Sequence, residues 1–388
     1  MNSSIRTLKF EKKFGTLIKN DVLLKKIYNE HIQSRNYNPI INKYFSSIDI
    51  SDEDIEKDEY DRIRVKNVTN SLKELWVKRH EKQVTFLIFE DFEKMENMLF
   101  MIPSYRGHYI HQFNVFLLGY FILTELIKNR CIKQNINNIS QFTDFTWMLS
   151  STFHDMGYPI QEIEDLFQKY IDMFLKIQTP FSVNIETILT QNFYDYIRYL
   201  AEIHYQMFTL NQNQWFIERE RKRDYKFYDL ILTKLREKDH GVIGALLLMH
   251  SVLTKENLVN RLGWLDRDFA KSILPACHAI SLHNLKDINI SFENQPYAFL
   301  LVLCDELQDW GRSKENNNKS ELLDIKIENI TQNPLITFKL QIYDDEKLNN
   351  LQELEFRLKV KSFTINIIAI QDDHECLFNI TCETDEHN

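Results

Sequence analysis

The chain has few of the residues that interrupt regular structure, with only 8 Gly and 7 Pro among 388 residues. Aromatic side chains are abundant by contrast, with 27 Phe and 17 Tyr. Because glycine and proline mark turns, their scarcity argues against a turn-rich β protein. The composition instead favours long helices that pack through aromatic side chains, and therefore a mainly α fold.

Cysteine is also scarce, and the five residues are scattered without a C-x-x-C pair. This usage is typical of free thiols in a reducing compartment. The N-terminal segment lacks the continuous apolar region of a signal peptide, and the apolar run at 113–127 is too short to span a membrane. We therefore predict a cytoplasmic protein without a membrane partner.

Positive charge is not in excess either, since the formal net charge is −9 at pH 7. A negative protein is disfavoured as a non-specific binder of the nucleic-acid backbone. We expect no nucleic-acid partner, whereas a homo-oligomer is compatible with the sequence.

The pattern of apolar residues predicts several parts along the chain. Residues 1–100 should form a charged N-terminal helical region. Residues 101–312 have strong helical periodicity and include an aromatic helical insertion at 161–235. A polar, asparagine-rich linker is predicted at 313–321, because no apolar period runs through it.

Residues 322–388 have a different pattern, in which apolar and polar residues alternate as in half-buried strands. Between the predicted strands, Leu351, Leu354 and Leu358 share one helical face. We predict a small α+β domain with one helix and about four strands, in DIKIENI, PLITFKLQIYD, SFTINIIAI and CLFNITC.

His154 and Asp155 stand side by side, after an apolar run and before a Gly-Tyr-Pro break. Adjacent helical residues point about 100° apart, so the two side chains converge only on something between them. A metal ion is one such object, because imidazole nitrogens and carboxylate oxygens are usual ligands. A pair on a solvated turn would look the same locally, so the rest of the chain has to decide.

Five further polar positions fall on apolar helical faces or at predicted helix ends. His111 lies on an apolar stripe, where a lone histidine is more often a core residue than a ligand. His240 is predicted to begin a helix. His278 and His283 are five residues apart and cannot share a face, so we assign the functional role to His283 and a structural role to His278. Asp305 interrupts an apolar helix, and a buried carboxylate needs a cation or another partner.

The order of these residues resembles the H…HD…H…H…D pattern of the HD-domain superfamily of metal-dependent phosphohydrolases. The resemblance covers 106–312 and extends to HDMGYP, HGVIGALLL, AISLH and LLVLCDELQDWGR. It implies a helical HD-domain core that holds one or two divalent ions, either Mn, Mg, Co, Ni or Fe. The implied ligands are His111, His154, Asp155, His240, His283 and Asp305.

The resemblance also implies a reaction, the hydrolysis of a phosphoester or phosphoanhydride bond of a nucleotide, or of another small phosphate compound, by a metal-activated water. Asp155, which would bridge two metals, and His240 are the candidate catalytic residues. His108, Tyr158 and Arg312 are the candidate substrate-binding residues. A guanidinium binds phosphate bidentately, so Arg312 is a candidate phosphate clamp, unless it is an exposed arginine at a helix end.

Two other functions are compatible with the same ligand order. Di-iron oxygenases similar to myo-inositol oxygenase have this order too, and a nucleotide-sensing module without turnover would keep the fold. Tyr158 stands where the cyclic-dinucleotide phosphodiesterase branch usually has lysine, which speaks against that substrate. Tyrosines of the insertion could stack a base, but we favour a role in the core for them: Tyr194, Tyr196 and Tyr199.

Overall fold

The structure is a computed structural model, and the predicted N-terminal region 1–100 lies outside the residues that it describes, as do His108, Arg312 and most of the predicted linker. The described residues are 111–112, 115–116, 118–120, 122–123, 126, 146–162, 167–168, 171–172, 191–209, 226–260, 267–308, 319–330, 333–372 and 374–381.

Helices dominate the described residues, of which 60% are helical and 22% lie in strands, so the mainly α class is confirmed for this part of the chain. The described positions between 111 and 126 are all helical. Further along the chain the helices are α1 (Trp147–Phe153), α2 (Tyr158–Gln161), α3 (Gln191–Thr209), α4 (226–236), α5 (His240–Asn260), α6 (Arg267–Leu282), α7 (Pro296–Leu307) and α8 (Asp345–Arg357). Among the described helices, none is both long enough and apolar enough to cross a membrane.

Helix α6 lies at the centre of the helical part and packs against α1, α3, α5 and α7. Small side chains in its middle, Ala276, Cys277 and Ala279, are fully or almost fully buried and let the neighbouring helices approach closely. Trp147 of α1 is completely buried and donates its indole N–H to the carbonyl of Phe116, at 3.0 Å. The helical part therefore packs around α6.

The second part is a small sheet of four strands, β2 (Ser320–Ile330), β3 (Asn333–Ile342), β5 (Thr364–Gln371) and β6 (His374–Ile380). They lie side by side in the order β2-β3-β5-β6. Alternation of apolar and polar residues buries one face, for example through Ile336 and Phe338 of β3 and Ile365 and Ile367 of β5. β3 and β5 are parallel and joined through α8, while β2–β3 and β5–β6 are antiparallel. Two short strands, β1 (Ile290–Ser291) and β4 (Leu358–Lys359), form a separate parallel pair.

Two details differ from the sequence-based prediction. β2 begins at Ser320, inside the predicted linker. Leu358 was predicted on the helical face of Leu351 and Leu354, but α8 ends one residue earlier and Leu358 begins β4. The reason is a tertiary one, because Leu358 pairs with Ile290 in a short parallel ladder that joins the two parts of the molecule.

Candidate metal centre

The six predicted ligand residues come together, and four of them lie at or just beyond the ends of helices. His154 follows the last residue of α1, and Asp155 lies in the turn behind it. His240 is the first residue of α5, and His283 directly follows α6. The other two are helical residues, with Asp305 in the last turn of α7 and His111 in the helical segment 111–126.

His111, His154 and Asp155 form a first group, whose ligand atoms all lie within 4.8 Å of one another. The Nε2 atom of His154 lies 3.3 Å from Oδ1 of Asp155 and 3.6 Å from Oδ1 of Asp305. Nε2 of His111 lies 2.7 Å from the same Asp305 oxygen. Asp305 therefore belongs beside this group, as the sequence order suggested.

Asp155, His240 and His283 form a second group with the same spacing limit of 4.8 Å. The Nε2 atoms of His240 and His283 are 3.1 Å apart, and Nε2 of His240 lies 3.9 Å from Oδ1 of Asp155. Asp155 is thus shared by both groups and lies between two triads of ligand atoms. This is the arrangement that a bridging carboxylate has between two cations.

All four imidazoles present Nε2 to the centre, because Nδ1 of each is bonded to an oxygen outside it. Nδ1 of His154 donates to the Ser151 carbonyl at 2.8 Å, and Nδ1 of His283 donates to the Ile280 carbonyl at 2.7 Å. A carbonyl can only accept, so Nδ1 carries the hydrogen and Nε2 is the ligand atom. In the other two histidines the acceptor is a glutamine side chain: Gln308 Oε1 for His111, and Gln161 Oε1, at 2.9 Å, for His240.

The donor set fits a divalent cation. Nε2 of His154 is completely buried and has no hydrogen-bond partner among the described residues. Leaving a buried polar atom unpaired is costly, and a cation would satisfy it. His111, His154, Asp155, His240 and His283 are each at most 7% exposed, whereas the Asp305 side chain is 31% exposed. The centre is therefore buried and opens to solvent beside Asp305.

The pKa values differ between the two groups. Burial, together with the neighbouring His283, lowers the pKa of His240 to about 4, and burial and His154 lower the pKa of His283. For His154, burial lowers the pKa, but the carboxylates of Asp155 and Asp305 outweigh this effect and hold it raised at about 9. His240 and His283 are thus neutral at pH 7, and a cation in the first group would take the place of a proton on His154.

No protein-family model matches the chain, and neither a curated protein nor a solved structure is significantly similar to it.

Two glycines allow the helix ends to approach each other closely. A Cβ atom on Gly157 would lie 2.0 Å from the carbonyl oxygen of His240, and one on Gly241 would lie 2.7 Å from the His283 ring. Neither position can hold a larger residue without a shift of the neighbouring ligand. The glycines of HDMGYP and HGVIG therefore bring the start of α5 against the turn that carries Asp155.

Asp239 connects the two histidines of the second group, and the sequence analysis missed it. Its Oδ1 accepts from the backbone N–H of Val242, at 2.9 Å, so that it caps α5 just before His240. Its Oδ2 accepts from the side chain of Asn284, the residue after His283, at 2.6 Å. The cap could have been predicted, because an aspartate stands directly before a predicted helix start. The contact with Asn284 could not, because no sequence pattern indicates it.

The remaining predicted site residues lie at different places. The Tyr158 ring stacks on His240, with ring centroids 4.0 Å apart, so Tyr158 is at the centre, while His108 and Arg312 fall outside the described residues. His278 lies away from the centre, with Nε2 2.9 Å from Nδ1 of His204. In α3, Tyr196 is buried in the core and Tyr199 is 40% exposed.

Proposed function

We propose that the protein is a metal-dependent phosphohydrolase that cleaves a phosphoester or phosphoanhydride bond of a nucleotide or a similar small phosphate compound. The observation that carries this proposal is the pair of buried triads that share Asp155, with four imidazole Nε2 atoms directed to one centre. The resemblance of the ligand order to the HD-domain superfamily supports the same reaction, and with it an HD-type helical core.

The charge of the centre supports an anionic substrate. Neutral imidazoles contribute no charge, so the six predicted ligands together provide two negative charges, those of Asp155 and Asp305. Two divalent cations would bring four positive charges, and the loaded centre would keep an excess of positive charge. Such a centre attracts phosphate and stabilises the negative charge that develops on phosphoryl oxygens.

In this proposal each side chain has a defined task. Bound divalent cations would supply Lewis acidity, lowering the pKa of a water molecule and neutralising phosphate charge. Asp155 binds in both triads and sets their separation, and His240 completes the second triad. Asp305 is the most exposed of the six, and the substrate therefore enters beside it. Tyr158 covers one face of the His240 ring and keeps that ring in place.

The test is turnover by the purified protein in the presence of Mn²⁺. The substrate panel contains deoxynucleoside triphosphates, cyclic mononucleotides, cyclic dinucleotides and tetraphosphate alarmones, and the products are separated by chromatography. We expect release of phosphate, diphosphate, triphosphate or a linearised nucleotide, which also identifies the bond that is cut. The variant Asp155→Asn should lose this activity, because it removes the shared ligand.

Asp229→Asn is the matched control, since Asp229 is an exposed aspartate of α4 outside the centre, and it should retain wild-type turnover. Equal product formation by wild type and Asp155→Asn would contradict the proposal. So would a protein that is isolated with two irons and turns over no phosphate compound, which would instead point to a di-iron oxygenase.

A further inference from the structure

Arg357, the last residue of α8, reaches from the C-terminal part to the end of α6. It is 8% exposed, and its guanidinium donates to two backbone carbonyls, those of His283, at 2.9 Å, and of Leu282. These carbonyls stand at a helix C-terminus, where no partner within the helix exists and a cation is favourable. One of them belongs to a predicted ligand residue itself.

Lys347 lies near the other end of the same helix and makes the equivalent contact with α7. It is 4% exposed, and its ammonium donates to the backbone carbonyl of Glu306 and pairs with the Glu306 carboxylate at 2.8 Å. Glu306 directly follows Asp305 in the last turn of α7. Each end of α8 therefore holds a buried cation against a helix end that carries a predicted ligand.

We propose that Arg357 and Lys347 are positioning residues of the metal centre, and that through them α8 makes the affinity for divalent cations depend on the docking of the C-terminal α+β part. This inference rests on the metal centre proposed above. The argument is geometric: the backbone of His283 is fixed directly by Arg357, and the backbone next to Asp305 is fixed by Lys347. Groups that orient metal ligands from behind control how well those ligands converge.

Burial makes these contacts selective for the docked state. An unpaired buried cation is strongly unfavourable, so Arg357 and Lys347 tolerate their surroundings only while the carbonyls of α6 and α7 and the Glu306 carboxylate pair with them. A metal ion bound by His283 and Asp305 would hold these two residues in one position, and it would therefore also fix the carbonyls that Arg357 and Lys347 contact. Because coupling between two equilibria is reciprocal, metal binding should in turn strengthen the docking of α8.

The test is the dissociation constant of Mn²⁺, measured by calorimetry on the metal-free, full-length chain. We expect Arg357→Met and Lys347→Met to weaken Mn²⁺ binding by about 10-fold to 100-fold, the usual effect of losing a group behind a metal ligand. Arg357→Lys should fall between wild type and Arg357→Met, because a lysine keeps the charge but reaches at most one of the two carbonyls.

Lys286→Met is the matched control. Lys286 follows α6 and pairs with Glu353 of α8 at 2.6 Å, so it crosses the same junction, but it is 61% exposed. An exposed pair contributes little, and Mn²⁺ affinity should stay within about twofold of wild type. Hydrogen exchange gives the reciprocal measurement: Mn²⁺ should slow amide exchange in α8 of the wild-type protein and slow it less in Arg357→Met.

Wild-type affinity in both Arg357→Met and Lys347→Met would overturn the inference and leave the proposed function intact. A wild-type chain that binds no Mn²⁺ would overturn the proposed function itself. If Arg357 only held the fold together, its replacement would lower the thermal midpoint of metal-free and metal-loaded protein equally. Should Arg357→Met fail to fold, Arg357→Lys and Lys347→Met decide the matter in the same assay.

Discussion

At the scale of single residues, the orientation of the imidazoles is what suits this cluster to hold a metal ion. Four Nδ1 atoms are occupied by oxygen acceptors, two of them backbone carbonyls and two of them glutamine amides. Amide acceptors fix the orientation of the ring without adding negative charge, so they do not reduce the positive charge that bound cations would bring. In the proposed function, the charge of bound cations would thus remain available to an anionic substrate.

The two glutamines predict separate effects on the two triads. Gln308→Leu removes the acceptor behind His111, and Gln161→Leu removes the one behind His240. Each replacement should lower the affinity of its own triad for Mn²⁺ by about 10-fold to 100-fold, because the histidine ring loses its fixed orientation. Two-site calorimetric titration with Mn²⁺ measures both affinities, and each variant serves as the control for the other. Wild-type affinities in both variants would refute the orienting role.

The pair of His204 and His278 is a second buried histidine cluster, with a different chemistry. Gln295 Nε2 lies 3.4 Å from Nδ1 of His204, and the His204 ring stacks on Phe227. Burial lowers the pKa of His204 to about 3, and burial together with His204 lowers the pKa of His278 well below its usual value. The lowered pKa values keep both rings neutral in the native state at pH 7.

The neutral pair should make the protein sensitive to acid. Below about pH 6.5 the unfolded chain binds protons that the native pair refuses, so stability present above that pH is lost as pH falls, by about 1.4 kcal/mol per pH unit for each histidine. His278→Gln keeps one donor for His204 and should remove one histidine's share of this slope. Urea unfolding of metal-free protein between about pH 7 and pH 5 measures it. The exposed His374→Gln is the control, and identical slopes in all three proteins would contradict the prediction.

At the scale of elements, the predicted ligands were recognisable in the sequence because each one interrupts an apolar helical pattern at its end or on its inner face. The strands of the C-terminal part were recognisable for a related reason, since alternation along β3 and β5 follows directly from one buried face. The groups behind the ligands were not recognisable. Gln308 and Arg357 act on residues far away in the chain, and no local period marks such contacts.

The close contact between α5 and the turn after α1 gives a prediction at this scale. In Gly157→Ala the new Cβ would lie 2.0 Å from the His240 carbonyl oxygen, so the start of α5 must move. We expect a loss of about 1–3 kcal/mol in the free energy of unfolding and weaker binding of the ion held by His240. Urea unfolding and Mn²⁺ calorimetry measure the two effects.

Gly244→Ala is the control for this prediction, since Gly244 lies one helical turn after His240 in α5. The atom nearest to its new Cβ would be the Gly157 nitrogen, at 3.2 Å. A small shift accommodates that contact, and the effect on both quantities should be smaller. If Gly244→Ala were as damaging as Gly157→Ala, the close approach at His240 would not be the cause.

At the scale of the whole molecule, the helical part and the sheet share one continuous core, whose buried residues extend from Val115 to Ile380 in the sequence. The β1–β4 ladder and the buried cations of α8 cross between the parts as well. The polar segment at 313–321 was predicted as a linker between the helical region and the small α+β domain. The composition of this segment does not predict which contacts form between the parts on either side of it. Leu358 of the C-terminal part, for example, pairs with Ile290 of the helical part.

Because the two parts share a core, they should unfold together. Tryptophan fluorescence reports on the helical side through Trp147, which is completely buried in α1, and none of the five tryptophans follows residue 310. Hydrogen exchange of β5 in increasing urea reports on the sheet. We expect coincident midpoints. Mn²⁺ at about 100 times its dissociation constant should raise the free energy of unfolding by about 2.7 kcal/mol and shift both midpoints equally, because the ion binds only the native state. If β5 exchanged at lower urea than the fluorescence transition and did not respond to Mn²⁺, the sheet would be an independent unit, and the metal centre would be stabilised by the helices alone.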